Sequence, residues 1–582
     1  MENKIPVNNL KEMMEHNTKL FGNKNAFLIK GPEKSYKGIT YSVFNSHVDA
    51  LGTALINLGL KGTHIAVIGE NRYEWCVSYL AAVNGVGVVV PLDKELPPVE
   101  LQNLLLKSEC SAIIYSDKLS KEITDISSTI PSLKFLVQMD YTGNHCLADS
   151  ERILSPDSTY DKQVFLSFSQ LIDTGFELMK KGDRNFLDAA IDSDAMSILL
   201  FTSGTTDFAK GVMLSHRNIC FDITAVLSTV HIDSNDSSLS ILPIHHTYEC
   251  SLGFLALMYS GSTVSFCEGL KYISKNLVEA KPTVLITVPL LLENMYKKIW
   301  DQASKKFSTK LKLKFGLIIS KILYSGFRID IRKKLFRQIH DSLGGKLRLI
   351  ITGAAAIDPN VSKGLRDMGF KTLQGYGLTE CSPLAIGNRD NMFKDSSVGL
   401  PLPGVEIKID NPDEKGIGEL LVKGKNVMLG YYNNPEATKK VLKEGWLYTG
   451  DLGYKDKSGF YYITGRKKNV IVTKNGKNIF PEEIESYINK SMYVAESVVL
   501  GSYDEATGET SVIARIVPNF NSIKDKLKLS TITKEDVIKV LKEEIKLVNK
   551  NMPLYKRIKD FSINENEFIK TTTKKIKRYL VS

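Results

Sequence analysis

Residues 198–216, Ile198-Leu-Leu-Phe-Thr-Ser-Gly-Thr-Thr-Asp-Phe-Ala-Lys-Gly-Val-Met-Leu-Ser-His216, gather the groups best suited to chemistry. Thr202, Ser203, Gly204, Thr205 and Thr206 supply four hydroxyls and a bare backbone within five positions, and Lys210 adds a cation. Hydroxyls, free backbone N–H groups and a lysine point charge are what a polyphosphate needs. Glycine lets the backbone come close to such a ligand. The apolar run 198–201 reads as a buried strand that leads into the loop. The stretch is not a Walker loop, which needs Gly-x-x-x-x-Gly-Lys-[Ser/Thr]. Five residues after Gly204 stands Ala209, and Gly211 follows the lysine. The plainer alternative is an ordinary Ser/Thr/Gly turn after a strand.

A second constellation is Leu373-Gln-Gly-Tyr-Gly-Leu-Thr-Glu380. Gly375 and Gly377 flank Tyr376, which can stack on a base. Thr379 can hydrogen-bond a phosphate, and Glu380 can hold Mg2+, a hard cation that prefers oxygen ligands. The alternative is a glycine-rich turn. Ahead of it, Gly353-Ala-Ala-Ala356 follows an apolar strand and leaves room for a flat base to approach the backbone. Asp451, after the turn glycine Gly450, suits a two-point grip on ribose hydroxyls. His245 and His246 stand side by side in Ile241-Leu-Pro-Ile-His-His-Thr-Tyr-Glu249. As a metal pair they are unpromising, because neighbours on a strand face opposite ways. A packed core histidine is the plain reading.

These blocks together resemble the adenylate-forming superfamily, whose phosphate loop usually reads Thr-Ser-Gly-Thr-Thr-Gly-x-Pro-Lys-Gly. Here Asp207 stands where glycine is usual and Ala209 where proline is usual. The resemblance continues in order through Gly418-Glu-Leu-Leu-Val-Lys-Gly-Lys-Asn-Val-Met-Leu-Gly-Tyr-Tyr432, Trp446-Leu-Tyr-Thr-Gly-Asp-Leu-Gly453, Gly465-Arg-Lys-Lys-Asn-Val-Ile-Val472 and the terminal Phe568-Ile-Lys-Thr-Thr-Thr-Lys-Lys-Ile-Lys-Arg578. It implies that Gly353 lines an adenosine pocket and that His246 lies beside the acyl substrate. It implies that Arg466 contacts ribose or phosphate, that Lys468 is a hinge, and that Lys575 is the catalytic lysine. Lys574 replaces the family's glycine. Expected catalytic residues are therefore Lys575, Thr205, Glu380 and His246. Expected nucleotide contacts are Thr202, Ser203, Gly204, Thr205, Thr206, Lys210, Gly353, Gly375, Tyr376, Gly377, Thr379, Asp451, Arg466 and Lys468, with Glu380 and Thr205 on the metal.

The activity implied is two-step activation of an acid: ATP and Mg2+ give acyl-AMP and pyrophosphate, then coenzyme A gives the thioester. Among branches, the Leu-Pro-x-x-His-x-x-Glu block and a basic insertion look most like long-chain fatty-acyl-CoA synthetases. Alternatives are a ligase that loads an acyl carrier protein, an aryl or short-chain acid ligase, and, outside enzymes, a degenerate nucleotide-binding module. Asp207 and Lys574 favour the last, while Lys575, Glu380 and Asp451 argue against it.

The elements that must position these groups read as α/β. Strand-like runs at 64–69, 87–91 and 112–115 alternate with a helical pattern over 73–84, which argues for a sheet covered by helices. Residues 141–195 are mixed and polar and read as surface elements. With 582 residues the chain exceeds one core. The expectation is a large N-terminal multi-sheet α/β domain, 1–465, and a small mobile C-terminal α+β domain, 466–582, hinged near 468. No apolar run is long enough to span a bilayer, and the N-terminus does not resemble a secretory leader. The seven cysteines, one of them Cys146, are scattered without a C-x-x-C pair, which reads as free thiols in a reducing cytoplasm.

The net charge is +11, and residues 297–340 carry thirteen Lys/Arg against Asp301 and Asp330. Such a concentrated excess argues against a general nucleic-acid binder. Interleaved with it are Leu311, Leu313, Phe315, Leu317, Ile318, Ile319, Ile322 and Leu323. One reading is a peripheral face toward an anionic inner membrane; the other is a helical insertion packed on the domain with a solvated basic side. Acyl chain length and oligomeric state are not legible.

Overall fold

Continuous apolar runs such as His64-Ile-Ala-Val-Ile68 offer no polar face to solvent. In the computed structural model of the protein they become central strands of parallel sheets covered on both faces. The structure describes residues 7–31, 33, 35–140, 163–202, 209–327, 329–473, 478–504, 509–570 and 576–581. The described chain forms two compact units. The first ends at Thr202, resumes over Ala209–Glu406 and takes in Val422–Leu447; the second comprises Ile407–Leu421 and the chain from Tyr448.

The first unit holds two large sheets. One has eight strands in the order Gly430–Tyr431, Lys210–Ser215, Met196–Thr202, Val88–Leu92, His64–Ile68, Ala112–Tyr115, Phe135–Gln138 and Val164–Ser167. Its centre is parallel; Lys210–Ser215 runs antiparallel on both sides. The other has nine strands, with Lys371–Gly377, Leu349–Thr352, Val284–Thr287 and Ser237–Ser240 adjacent in that order. These four run parallel, and Leu384–Gly387 closes against Lys371–Gly377 antiparallel.

The helix expected over 73–84 is regular from Tyr73 to Ala81 and widens into a π-helical turn, Ala82–Val86, with Cys76, Val77, Leu80, Ala81 and Val83 all buried. The surface reading of 141–195 is corrected in its second half. Val164–Ser167 adds a strand to the eight-stranded sheet, and Phe168–Lys180 is a helix that buries Phe168, Leu171 and Ile172. At Gly175 this helix touches the helix Tyr41–Asn57 so closely that a Cβ would meet the Ala50 carbonyl oxygen at 1.9 Å. Polar residues at 169 and 173 hid an amphipathic helix.

The basic segment is helical: Pro289–Ser304, Phe307–Phe327, Arg332–Leu335 and Arg337–Ser342. Leu313 of the second helix joins Phe336, Leu292 and Leu365 in one core cluster. No helix among the described residues is long and apolar enough to cross a membrane.

Gly418–Lys423 and Trp446–Lys455, which lie mostly in the second unit, form one small sheet with Tyr461–Arg466. Further along, Val494–Asp504, Glu509–Pro518 and Ile558–Ile563 form a three-stranded sheet. Helices Pro481–Ile488 and Lys534–Lys550 cover it, burying Ile484, Ile488, Val537, Val540 and Leu541 with Val499 and Ile516. The described ends of the terminal basic segment meet in an antiparallel bridge, Lys570 to Ile576.

Candidate active site

The loop that opened the sequence argument is the connection of a β-hairpin. Phe201 pairs with Gly211 and Thr202 with Lys210 across the two strands. The Thr202 hydroxyl donates to the Lys210 carbonyl at 3.4 Å. Ser203, Gly204, Thr205, Thr206 and Asp207 lie outside the described residues, as do Lys574 and Lys575. On the far edge of the hairpin, Gly430–Tyr431 pairs with Met213 and Val212. The Tyr432 N–H donates to the Gly211 carbonyl at 2.7 Å. The amide of Asn218 fixes the approach to this strap, donating to the Lys425 and Val427 carbonyls at 2.7 and 3.0 Å.

That strap brings Lys210 and Glu380 to one place. Lys210 Nζ sits 4.9 Å from the centre of the Tyr431 ring, a cation–π arrangement. The Tyr431 hydroxyl donates to Glu380 Oε1 at 2.9 Å, and Met428 N–H donates to the Glu380 carbonyl at 2.9 Å. The tyrosine therefore orients a carboxylate and a lysine at once. Sequence reasoning quoted Tyr431 inside a block but gave it no role. The signal was the glycine before it: Gly430 has φ of 145°, and a Cβ there would come 2.9 Å from the Thr438 side chain.

Gly375, Tyr376 and Gly377 are strand residues, paired with Gly387, Ile386 and Leu384, and only Thr379–Cys381 is a turn. The glycines are required by the pairing. A Cβ on Gly377 would lie 1.8 Å from the Pro383 carbonyl oxygen. Thr379 receives a hydrogen bond from the Thr247 hydroxyl at 3.4 Å. Thr247 is a contact no sequence spacing announces.

Thr247 belongs to the histidine segment, which is not a strand. It is a turn that enters a π-helix at Glu249–Ala256. His246 Nδ1 accepts from the Tyr248 N–H at 3.3 Å, and the His246 N–H donates to the Pro243 carbonyl. His245 turns to Asp93, 3.4 Å away, and burial holds its pKa below the ordinary imidazole value. The turn is clamped by Asn71, whose amide donates to the Ser240 hydroxyl at 2.7 Å and the Leu242 carbonyl at 2.6 Å. Ser240 in turn donates to Glu249 Oε1 at 2.6 Å, and burial pushes the Glu249 carboxyl up to about 8.

Tyr248 connects this segment to the small-residue turn. Its hydroxyl donates to the Thr287 and Ile351 carbonyls at 3.3 and 3.2 Å. Its ring lies where a Cβ on Gly353 would stand, 3.1 Å away. An apolar cavity opens beside it, lined by Tyr248, Val226, Val230, Leu252, Leu373 and Gly375 among others. The first unit thus assembles Thr202, Lys210, Thr379 and Glu380 through Tyr431 and Thr247, with Gly353 and His246 reached through Tyr248.

In the second unit, Asp451 and Arg466 are cross-strand partners, and Arg466 Nε lies 2.8 Å from Asp451 Oδ1. Lys467 pairs with Glu419 at 2.7 Å. Lys468 follows in the same short turn, and its pKa is pushed down to about 8, first by loss of hydration and then by the Arg466 charge. Among the described residues no three His, Cys, Asp or Glu side chains form a metal cluster. Glu380 is a single carboxylate on a turn, which suits an ion that completes its shell with ligand phosphates and water.

The comparisons fit these blocks. Residues 14–432 match the family described as AMP-binding enzyme, and residues 468–581 match the AMP-binding enzyme C-terminal domain. A long-chain-fatty-acid–CoA ligase 1 of Cavia porcellus is 30% identical over 522 residues, 84% of this chain and 71% of its own length. A long-chain-fatty-acid–CoA ligase of Mycobacterium bovis is 27% identical over 481 residues, 80% of this chain and 75% of its own. The fold is that of an anthranilate CoA ligase solved with anthranoyl-AMP, at a TM-score of 0.74 and 21% identity, covering 98% of this chain and 96% of that one. A fatty acyl CoA synthetase of Mycobacterium tuberculosis superposes at a TM-score of 0.62 and 20% identity, over 99% and 97% of the two chains. With the hairpin and the glycine-bearing strand inside the span of the first family model, and the C-terminal model following, the chain belongs to the AMP-binding enzymes.

Proposed function

We propose that the chain is an AMP-forming acid–thiol ligase that turns a long-chain fatty acid into its coenzyme A thioester, a step of lipid metabolism. The observation that carries the reading is the Lys210–Tyr431–Glu380 arrangement beside the hairpin loop. The likeness to long-chain-fatty-acid–CoA ligases supplies the acid. In the first step the fatty carboxylate attacks the α-phosphorus of ATP and pyrophosphate leaves. Charge crowds at the phosphates, so positioning and preorganised donors do most of the work. Thr202, Ser203, Gly204, Thr205, Thr206, Lys210 and Thr379 cradle the phosphates, and Lys575 donates to the developing charge. Glu380 would hold Mg2+, with Thr205 as a second ligand, and the bound ion would neutralise phosphate charge.

Tyr376 stacks on the base, and Gly353, Gly375 and Gly377 leave it room. Asp451 takes the ribose hydroxyls and Arg466 the ribose or phosphate. His246 walls the acyl group, and the apolar cavity beside Tyr248 receives the start of its chain. In the second step the thiol of coenzyme A attacks the acyl carbonyl carbon and AMP leaves, so no protein nucleophile is needed. Residues 466–582 turn about Lys468 against 1–465 between the steps, which withdraws Lys575. We place the enzyme in the cytoplasm, peripheral to the inner face of an anionic membrane. Among the described residues six cysteines form no disulfide, and this and the charge of 297–340 support that location.

The test is pyrophosphate release from ATP and Mg2+ over acids from acetate to long-chain fatty acids and aryl acids, with and without coenzyme A. Release that peaks at long chains and turns over only with coenzyme A is expected. Turnover that ignores coenzyme A and needs a phosphopantetheine protein would make it a carrier-loading ligase. A peak at an aryl or short acid would replace the substrate. No release with any acid would leave a nucleotide-binding module.

A further inference from the structure

The helix Phe307–Phe327 carries two apolar stripes, and the fold uses one of them. At 3.6 residues per turn, Leu313, Gly316, Leu317 and Ser320 share a side. Leu313 and Ser320 are buried there, and Gly316 approaches the Phe336 ring. About half a turn away lie Phe307, Leu311, Phe315, Ile318 and Ile322. All five face solvent: Phe307 is 80% exposed, and Phe315, Ile318 and Ile322 are each 55% exposed. Lys310, Lys314 and Lys321 run along one border of this outer stripe and Lys312 along the other, all exposed. Close by in the chain, Lys333, Lys334 and Arg337 are exposed as well.

We infer that this outer stripe is a docking face for an anionic lipid bilayer, with the helix lying in the plane of the interface. Phe307, Phe315, Ile318 and Ile322 enter the acyl boundary while the bordering lysines meet lipid phosphates. A contiguous apolar stripe of this size on a folded chain marks an interaction surface. Its arrangement, bulky apolar groups with a row of three lysines on one border and Lys312 on the other, is that of an in-plane membrane helix. The inner stripe is held by the domain core, so the helix cannot turn to cross the bilayer.

Charge selects the occupant. A second copy docked two-fold on the same stripe would set lysine rows against each other. The segment 297–340 offers only Asp301 and Asp330 against thirteen bases to relieve them. An anionic leaflet supplies opposite charge along the whole border. The inference sharpens the peripheral location proposed above and does not depend on the ligase reading.

The full chain is sedimented with vesicles of phosphatidylcholine alone and of phosphatidylcholine with phosphatidylglycerol, at low and high salt. Binding to the anionic vesicles is expected, weakened by salt and absent from the neutral ones. Phe315→Glu with Ile318→Glu should lower the bound fraction by roughly tenfold or more, since a charge replaces each inserted group. Circular dichroism of that variant should match the parent, because both positions are on the surface. As a second measurement, Ile318→Trp should give an indole emission that shifts to the blue on anionic vesicles only. Unaltered sedimentation of the double variant, or an indole emission indifferent to lipid, would overturn the proposal. A concentration-dependent dimer that the double variant dissolves, with no vesicle binding by the parent, would overturn it in favour of self-association.

Discussion

Glu380 and Glu249 of the first unit are held differently from Asp451, Glu419 and Glu485 of the second, although ion pairs such as Arg366 with Asp395 occur in the first unit too. In the first unit, Glu380 takes a hydrogen bond from the Tyr431 hydroxyl and Glu249 takes one from the Ser240 hydroxyl. In the second, Asp451 faces Arg466, Glu419 faces Lys467, and Glu485 faces Arg578. A hydroxyl satisfies an oxygen lone pair without neutralising the charge, whereas a cation neutralises it. In the proposed reaction Glu380, on a turn, would offer its oxygens to a cation that arrives with a ligand. Glu249, with the same kind of partner in a dry place, keeps its proton instead. In the proposed reaction Asp451 would have to part from Arg466 before serving the ribose on its own, an exchange, whereas Glu380 would take its cation by addition.

The strongest way to break this comparison is Glu380→Ala. It should lower pyrophosphate release by roughly 10²–10³-fold, the scale of losing one transition-state contact. Thioester formation from supplied acyl-AMP should stay near the parent rate. Equal damage to both half-reactions would remove the special status of this carboxylate. Tyr431→Phe tests the hydroxyl itself. Losing a hydrogen bond to a charged group costs about 1.5–3 kcal/mol, so a drop of at least about tenfold in adenylate formation is expected, with a raised Mg2+ requirement in the titration. No change in either quantity would mean that the hydroxyl does not orient Glu380.

Arg466→Gln addresses the other unit. The Asp451 side chain is only 6% exposed while Arg466 is 41% exposed, so the partial solvent screening limits the loss to about 1 kcal/mol in urea unfolding. An unchanged midpoint would show that the pair carries no stability and that exchange is free. The remaining test is a pH profile, and it concerns Glu249. Its carboxyl is raised from an ordinary 4.5 to about 8. Its contribution to stability is therefore fully present below about pH 4.5 and is lost as pH rises through about 8. The thermal midpoint of the parent should fall over that window, and that of Glu249→Gln, neutral throughout, should fall less. Parallel curves would show that Glu249 is ionised in the folded chain.

Much of the framework was legible because it is local. The runs 64–69, 87–91 and 112–115 became parallel strands in register, since continuous apolar runs have few other destinations. The strand entering the loop followed for the same reason, while its antiparallel partner Lys210–Ser215 was not read from the sequence. Partners brought from far along the chain were not legible: Asn71 reaches Leu242 from 171 residues away, and Thr247 reaches Thr379 from 132. Nor does periodicity say which of two apolar stripes on the helix Phe307–Phe327 the domain covers. The histidine pair misled in a different manner. A turn entering a π-helix separates His245 from His246 as effectively as a strand would, so the right separation came from the wrong element.

The strap across the hairpin also sets a timetable for the growing polypeptide. Asn218 and Val427, joined by a hydrogen bond, stand 209 residues apart. A ribosome adding about 5–20 residues per second takes about 10–40 s to make that length. For that interval the strand Lys210–Ser215 has Met196–Thr202 on one side and a bare edge on the other. A bare edge is a template for any passing strand. The nascent chain therefore carries its own substrate for misassembly directly beside the connection between Thr202 and Lys210, and fragments that stop short of Gly430 keep that edge open permanently.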